Sequence, residues 1–122
     1  MRPNRRFREI VLEALDQLPP KFQDALTNLD IEVRWRPSPE ERRQAGIRRG
    51  QTLFGLYLGV PLPLRSSAYN LALPDKIVIY QQPHELACQS EEELVRQVRT
   101  TFLHEIGHYL GINEDRLGEL GL

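Results

Sequence analysis

Along the first eighteen residues apolar side chains return every three or four positions, at Phe7, Ile10, Val11, Ala14, Leu15 and Leu18. That spacing predicts an amphipathic helix from about Asn4 to Leu18 with one face to bury. Pro19 and Pro20 stop it, and Pro20 suits the first position of a second helix, in which Phe22, Ala25, Leu26 and Leu29 form another stripe. From Ile31 to Arg36 the period drops to two: Ile31, Val33 and Trp35 on one side, Glu32, Arg34 and Arg36 on the other. This is the pattern of a half-exposed strand. Ser38 with Glu41 reads as a capping box, Pro39 fits the first helical position and Gly46 fits the stop, so a short helix follows, and IRRGQ is then a loop.

Two runs, TLFGLYLG (Thr52 to Gly59) and DKIVIY (Asp75 to Tyr80), are apolar on both faces and rich in β-formers. Each is expected to be an inner strand or one covered by helices. The VPLPLRSSAYNLALP stretch between them carries too many prolines for a regular strand and is expected to be an ordered surface loop. Ser90 and Glu93 form a second capping box, opening a long helix from about Glu91 to Leu110. The whole chain, 1–122, reads as a single α/β (α+β) domain. Helices are expected on one face of a small twisted mixed sheet, the last helix packed beneath it and a cleft between helix and sheet edge.

Composition narrows this further. A chain of 122 residues is long enough to bury a core without disulfides, and its one cysteine, Cys88, cannot form an internal bridge. Sixteen basic residues against seventeen acidic leave no overall attraction to nucleic acid. The arginine clusters at Arg2, Arg5, Arg6 and Arg8 and at Arg42, Arg43, Arg48 and Arg49 read as solvated surface. No uncharged apolar run of signal-peptide or membrane-spanning length is present, so a cytoplasmic protein without a membrane partner is expected.

The candidate chemistry sits in HEIGHYLGINEDRLGEL, His104 to Leu120. His104 and His108 are one helical turn apart, so both imidazoles leave the same face and can grip one metal ion. Glu105 projects about 100° round the helix from His104, where a carboxylate can act as a general base without being a ligand. The apolar stripe of this helix is Leu94, Val98, Phe102, Ile106 and Tyr109; the histidines point about 140° from its centre, on a flank shared with Gln97 and Thr101. They are therefore not core histidines. A zinc site needs a third ligand, and a helix continuing past His108 would carry any later acid away at about 1.5 Å per residue. Gly111 is placed to turn the chain in a left-handed conformation, after which Glu114, Asp115 and Glu119 are the candidates. Gly107 lies inside the helix, where its expected use is close approach of another segment.

HEIGHYLGINE resembles the HExxHxxGxx motif of the zincin metallopeptidases, with Glu114 in the place where metzincins carry a third histidine. The methionine turn of metzincins is missing, since Met1 is the only methionine. GLYLGVPLPLRS, LPDKIVIY and HEIGHYLGINEDRLGEL together resemble a family of short, mostly bacterial zincin-like proteins, over roughly Leu53 to Leu120. In that family the third-ligand place is commonly aspartate. The resemblance implies a minimal zincin-like fold, one zinc ion per chain held by His104, His108 and Glu114, and Glu105 as the base in hydrolysis of a peptide or protein substrate. The rival expectation is a zinc-binding regulatory or peptide-binding module with little turnover. Tyr57, Tyr69, Tyr80 and Tyr109 are candidates for stabilising an oxyanion, Tyr69 being the best placed by sequence. Arg116 either orients Glu114 or Asp115 or is plain surface charge. HELAC, His84 to Cys88, echoes the motif by coincidence; Pro83 is expected to start a turn and Cys88 to be buried. TLFGLYLG is the candidate strand for pairing with an extended peptide.

Overall fold

The Asn4 side chain accepts the Phe7 N–H at 2.8 Å, and helix α1 (Arg5–Asp16) follows from that cap. The computed structural model describes residues 3–64, 75–112 and 114–119, the last stretch by its backbone alone at Glu114, Leu117 and Gly118. After α1 come α2 (Pro20–Ala25), strand β1 (Leu29–Arg34), α3 (Pro39–Gln44), β2 (Gly55–Leu58), β3 (Asp75–Tyr80), α4 (Gln81–Ala87), α5 (Glu91–Tyr109) and α6 (Glu114–Glu119). Pro20 opens α2 and Pro39 opens α3, where a missing N–H costs nothing. Both halves of the Ser38–Glu41 capping box form, at 3.0 and 2.9 Å. Gly46 ends α3 at φ 71°, with its own N–H on the Arg43 carbonyl and that of Ile47 on the Arg42 carbonyl.

The described strands form one mixed sheet in the order β1-β3-β2, β1 parallel and β2 antiparallel to β3. DKIVIY is the inner strand, as expected. TLFGLYLG forms a ladder only over Gly55–Leu58 and lies at an edge, covered on one face by α5. The alternation in β3 divides the core. Ile77 and Ile79 face a large cluster with Phe7, Ile10, Val11 and Ala14 of α1 and Val98, Phe102 and Ile106 of α5. Val78 and Tyr80 face a smaller cluster with Leu53 and Leu56, closed by Ala45 and Ile47 at the end of α3. Complete burial of such side chains contributes on the order of 2 kcal/mol each, and the larger cluster fixes α1 and α5 on one side of the sheet.

The second face carries charge. Arg34 bonds Glu32 and Glu41, Lys76 reaches Glu32 at 3.4 Å and the Tyr80 hydroxyl donates to Glu41 at 2.7 Å. Burial by itself would raise the Glu41 pKa, but the Ser38 and Tyr80 hydrogen bonds and Arg34 outweigh it and hold the carboxyl below its ordinary range. Tyr80 is pushed well up, first by burial and then by that carboxylate.

Pro83 does not start a turn: it sits in the first turn of α4, where a proline is tolerated. Cys88 is half-buried rather than buried, and what burial it has raises its thiol pKa. The element holding this corner together is His84, which is 0% exposed. Its Nδ1 is 2.6 Å from the Tyr80 carbonyl and its Nε2 is 2.9 Å from the Thr101 hydroxyl. A carbonyl only accepts, so in the neutral ring Nδ1 carries the proton and Nε2 is left as an acceptor; the single Thr101 hydroxyl proton is shared between Nε2 and the Gln97 carbonyl, each 2.9 Å away. The ring also packs against Phe54 at 4.9 Å and Phe7 at 5.9 Å. One imidazole thus ties the end of β3 to the middle of α5. Thr101, expected on the open flank with the histidines, is instead buried by this contact.

Burial holds the His84 pKa down, to about 4, against the Tyr80 hydrogen bond that favours the charged ring. The unfolded chain, at about 6.5, binds the proton first as pH falls. The stability His84 contributes is therefore complete above about pH 6.5, declines toward about pH 4 and is level below that, a total on the order of 3 kcal/mol. Urea unfolding at pH 7 and pH 4.5 is expected to show a smaller loss on acidification for His84→Gln than for wild type. Equal losses would remove His84 from the acid response.

A second expected outcome concerns Gly55, where an added Cβ would stand 2.6 Å from the Thr101 methyl and 3.0 Å from the Val78 carbonyl oxygen. Gly55→Ala should destabilise by roughly 1–3 kcal/mol. Adding Thr101→Ser, which deletes the clashing methyl and keeps the hydroxyl, should recover part of that loss in the same denaturation assay.

Candidate metal centre

Helix α5 is nineteen residues long and opens on Ser90, whose hydroxyl accepts the Glu93 N–H at 3.1 Å. The expected second capping box is only half made there, because the Glu93 carboxylate takes the Gln89 N–H instead, at 3.0 Å. Leu94, Val98, Phe102, Ile106 and Tyr109 are buried as the apolar stripe requires, and His104 and His108 emerge half-exposed from another flank. Their spacing of one turn sets both imidazoles on one face of the helix.

Glu105 lies between helix and sheet, with 12% of its side chain exposed. Its Oε1 accepts the Tyr57 backbone N–H at 2.9 Å and lies 3.3 Å from Nδ1 of His108. The Tyr57 N–H points toward α5 for a reason of register. The Tyr80 N–H donates to the Phe54 carbonyl, so Phe54 turns its polar backbone toward β3; with a period of two, Leu56 and Leu58 do the same, and Gly55 and Tyr57 turn theirs away from β3. The strand edge and α5 border a cleft of about 360 Å³ lined by Leu53, Phe54, Gly55, Gln97, His104 and Glu105 among others. Gly55 is what lets the two walls meet so closely, and a glycine inside an apolar β-run was a sequence signal for such an approach. No signal could have marked the Tyr57 N–H, which is a backbone group chosen by pairing.

The chain does turn at Gly111. That residue has φ 82°, its N–H donates to the His108 carbonyl at 3.0 Å, and the Ile112 N–H donates to the Gly107 carbonyl at 2.8 Å. This is the paired-bond ending that favours glycine at its left-handed position. Pro63 packs on the same residue: a Cβ there would be 2.4 Å from the proline Cγ. Helix α6 then begins at Glu114, whose side chain lies outside the described residues. Asp115 is exposed, and Glu119 accepts from Arg116 at 2.9 Å on an exposed surface. Among the described residues no three His, Cys, Asp or Glu side chains converge on a metal position. The described donors are two imidazoles with a carboxylate beside them, which is the nitrogen and oxygen chemistry that zinc accepts.

Of the tyrosine candidates, Tyr57 turns its hydroxyl to Asp75 at 3.0 Å and sets its ring edge-on to Tyr109 at 5.8 Å. Tyr109 is buried and Tyr80 is bound to Glu41, while Tyr69 lies outside the described residues. Among the described residues no helix is long and apolar enough to cross a membrane.

No curated protein matches the chain. A solved structure, that of a conserved hypothetical protein from Thermus thermophilus, is similar at a TM-score of 0.53, with 23% identity over 86% of this chain and 91% of that one. At that identity the likeness shows a shared fold. The pattern of the zincin-like metallopeptidase family matches residues 26–122, which takes in the whole sheet, α5 and the HEIGH segment and leaves out only α1 and α2. The chain belongs to the zincin-like metallopeptidase family.

Proposed function

We propose that the protein is a zinc-dependent peptide hydrolase in which His104, His108 and Glu114 hold one zinc ion and Glu105 is the general base. The observation that carries this reading is Glu105 itself: one residue along from His104, nearly covered, and held against β2 by the Tyr57 N–H. Bound zinc supplies Lewis acidity toward a carbonyl and makes water easier to deprotonate. Glu105 takes the proton from the attacking water and delivers it to the leaving nitrogen. The Tyr57 N–H orients that carboxylate, so its position is set by the sheet as well as by its own helix. The Gly55 backbone groups, turned away from β3, suit an extended peptide laid alongside β2 as an added strand.

The turn at Gly111 supports Glu114 as third ligand, because it stops the helix where a continuing one would carry residue 114 away from His108. The pairing of Glu119 with Arg116 and the exposure of Asp115 favour Glu114 over those two.

Elemental analysis should find about one zinc per chain, and His104→Ala with His108→Ala should lose it with little change in helical content, since neither residue is in the buried stripe. Stoichiometric metal in the double variant would overturn the site. Glu105→Gln is expected to keep its zinc and lose hydrolysis of a peptide panel; hydrolysis absent from wild type as well would favour a binding module. Against a chromogenic chelator, Glu114→Gln should weaken zinc binding by about one to a few kcal/mol and Asp115→Asn by much less. Gly111→Ala should resemble Glu114→Gln, since its methyl meets Pro63 at a left-handed position. A silent Glu114→Gln beside a damaging Asp115→Asn would reassign the ligand.

A further inference from the structure

The segment Gln51–Leu53 borders a second cleft, of about 390 Å³, with no residue of the HEIGH helix among its described lining. Arg36, following β1, and Arg42 of α3 stand on its wall, with Thr52 and Leu53 between the two clefts and Pro83 and Leu86 of α4 opposite. Leu86 is 80% exposed, an unusual position for a large apolar side chain, and among the described residues no acidic one lines the cleft. Arg42 is fixed in place, its Nη2 donating to the Gln51 carbonyl at 2.7 Å and the Arg48 carbonyl at 3.3 Å. Arg36 is exposed and has no ion-pair partner among the described residues. Arg43, Arg48 and Arg49 are exposed, whereas Glu41, on the same helix as Arg42, is half-buried and already committed to Arg34 and Tyr80. A chain with a net charge of −1 thus concentrates positive charge at an apolar groove.

A guanidinium beside an exposed leucine fits a carboxylate side chain with an apolar neighbour. A nucleic-acid strand is a poorer fit, because among the described residues no aromatic side chain lines the groove for a base to stack on. Leu53 is four residues from Tyr57, or about 13 Å along an extended strand. We propose that this groove is a second subsite of the peptide-binding cleft, selecting through Arg36 an acidic side chain next to an apolar one, about four residues from the bond hydrolysed. The proposal rests on the peptide-hydrolase reading for its distance from the reacting bond, and on the groove alone for its acid preference.

The test uses fluorescein-labelled ten-residue peptides carrying Glu-Leu, Gln-Leu or Lys-Leu four residues to either side of a constant central bond. Anisotropy is read with the Glu105→Gln protein, and cleavage with wild type. The Glu-Leu peptide of one series is expected to bind roughly tenfold tighter than its Lys-Leu counterpart. Adding Arg36→Gln should erase that preference and Arg36→Glu should reverse it, with melting temperatures unchanged because Arg36 is exposed. Equal binding of the three peptides, or a preference indifferent to Arg36, overturns the subsite. So does a single-stranded oligonucleotide that binds in an Arg36-dependent way while the peptides do not. Acid-selective, Arg36-dependent binding without cleavage supports the subsite and removes the hydrolase reading; cleavage without acid preference does the reverse.

Discussion

The contact between β2 and α5 at Gly55 is the constraint on which the candidate site depends. A methyl at Gly55 would collide with Thr101, so the strand and the helix run closer together there than side chains on both would allow. At that separation a backbone N–H of the strand reaches a carboxylate of the helix: Tyr57 to Glu105 at 2.9 Å. The proposed general base is thereby held by a backbone group that no substitution other than proline removes. Its geometry follows from the pairing of β2 with β3.

Polar groups buried behind the cleft hold that separation. His84 spans the end of β3 and the middle of α5 with both ring nitrogens engaged, and Thr101, its partner on the helix, is the residue that meets Gly55. On the far side, Tyr57 is braced by Asp75 through its hydroxyl and by Tyr109 through its ring. Satisfied polar contacts of this kind are directional where apolar packing is not, so they fix the relative setting of strand and helix more narrowly than the core around them. The cost is sensitivity to protons at His84, whose neutral form the fold requires.

Economy of material follows from the chain's length. With three described strands and one long helix, the cleft has a single strand edge for one wall and a single helix for the other. The same short segment, Thr52–Leu53, then borders a second groove, lined also by α3, α4 and the connection after β1. Pro63, drawn from the connection after β2, packs on Gly111 and so links the strand that forms one wall to the turn that ends the other.

The sequence by itself determined the elements whose signals are local. The helix start near Asn4, the caps at Ser38 and Ser90, the prolines opening α2 and α3, the stop at Gly46 and the turn at Gly111 all appear where their residues place them, because each depends on contacts within one turn of chain. The face of α5 that carries His104 and His108 was equally legible, since it follows from the 3.6-residue period. What tertiary structure alone decided was everything requiring distant segments to meet. Which of the two apolar runs is inner was decided by the order β1-β3-β2 of the described strands, which places DKIVIY in the middle and TLFGLYLG, the strand named from sequence for pairing with a peptide, outside it. Thr101 left the open flank because His84, seventeen residues away, reached it first. Pro83 entered a helix rather than a turn because the first turn of α4 has no use for its N–H. The Tyr57 N–H became the partner of Glu105 through a sheet register that local sequence does not encode, and spacing along the chain could name the carboxylate but not the group that holds it.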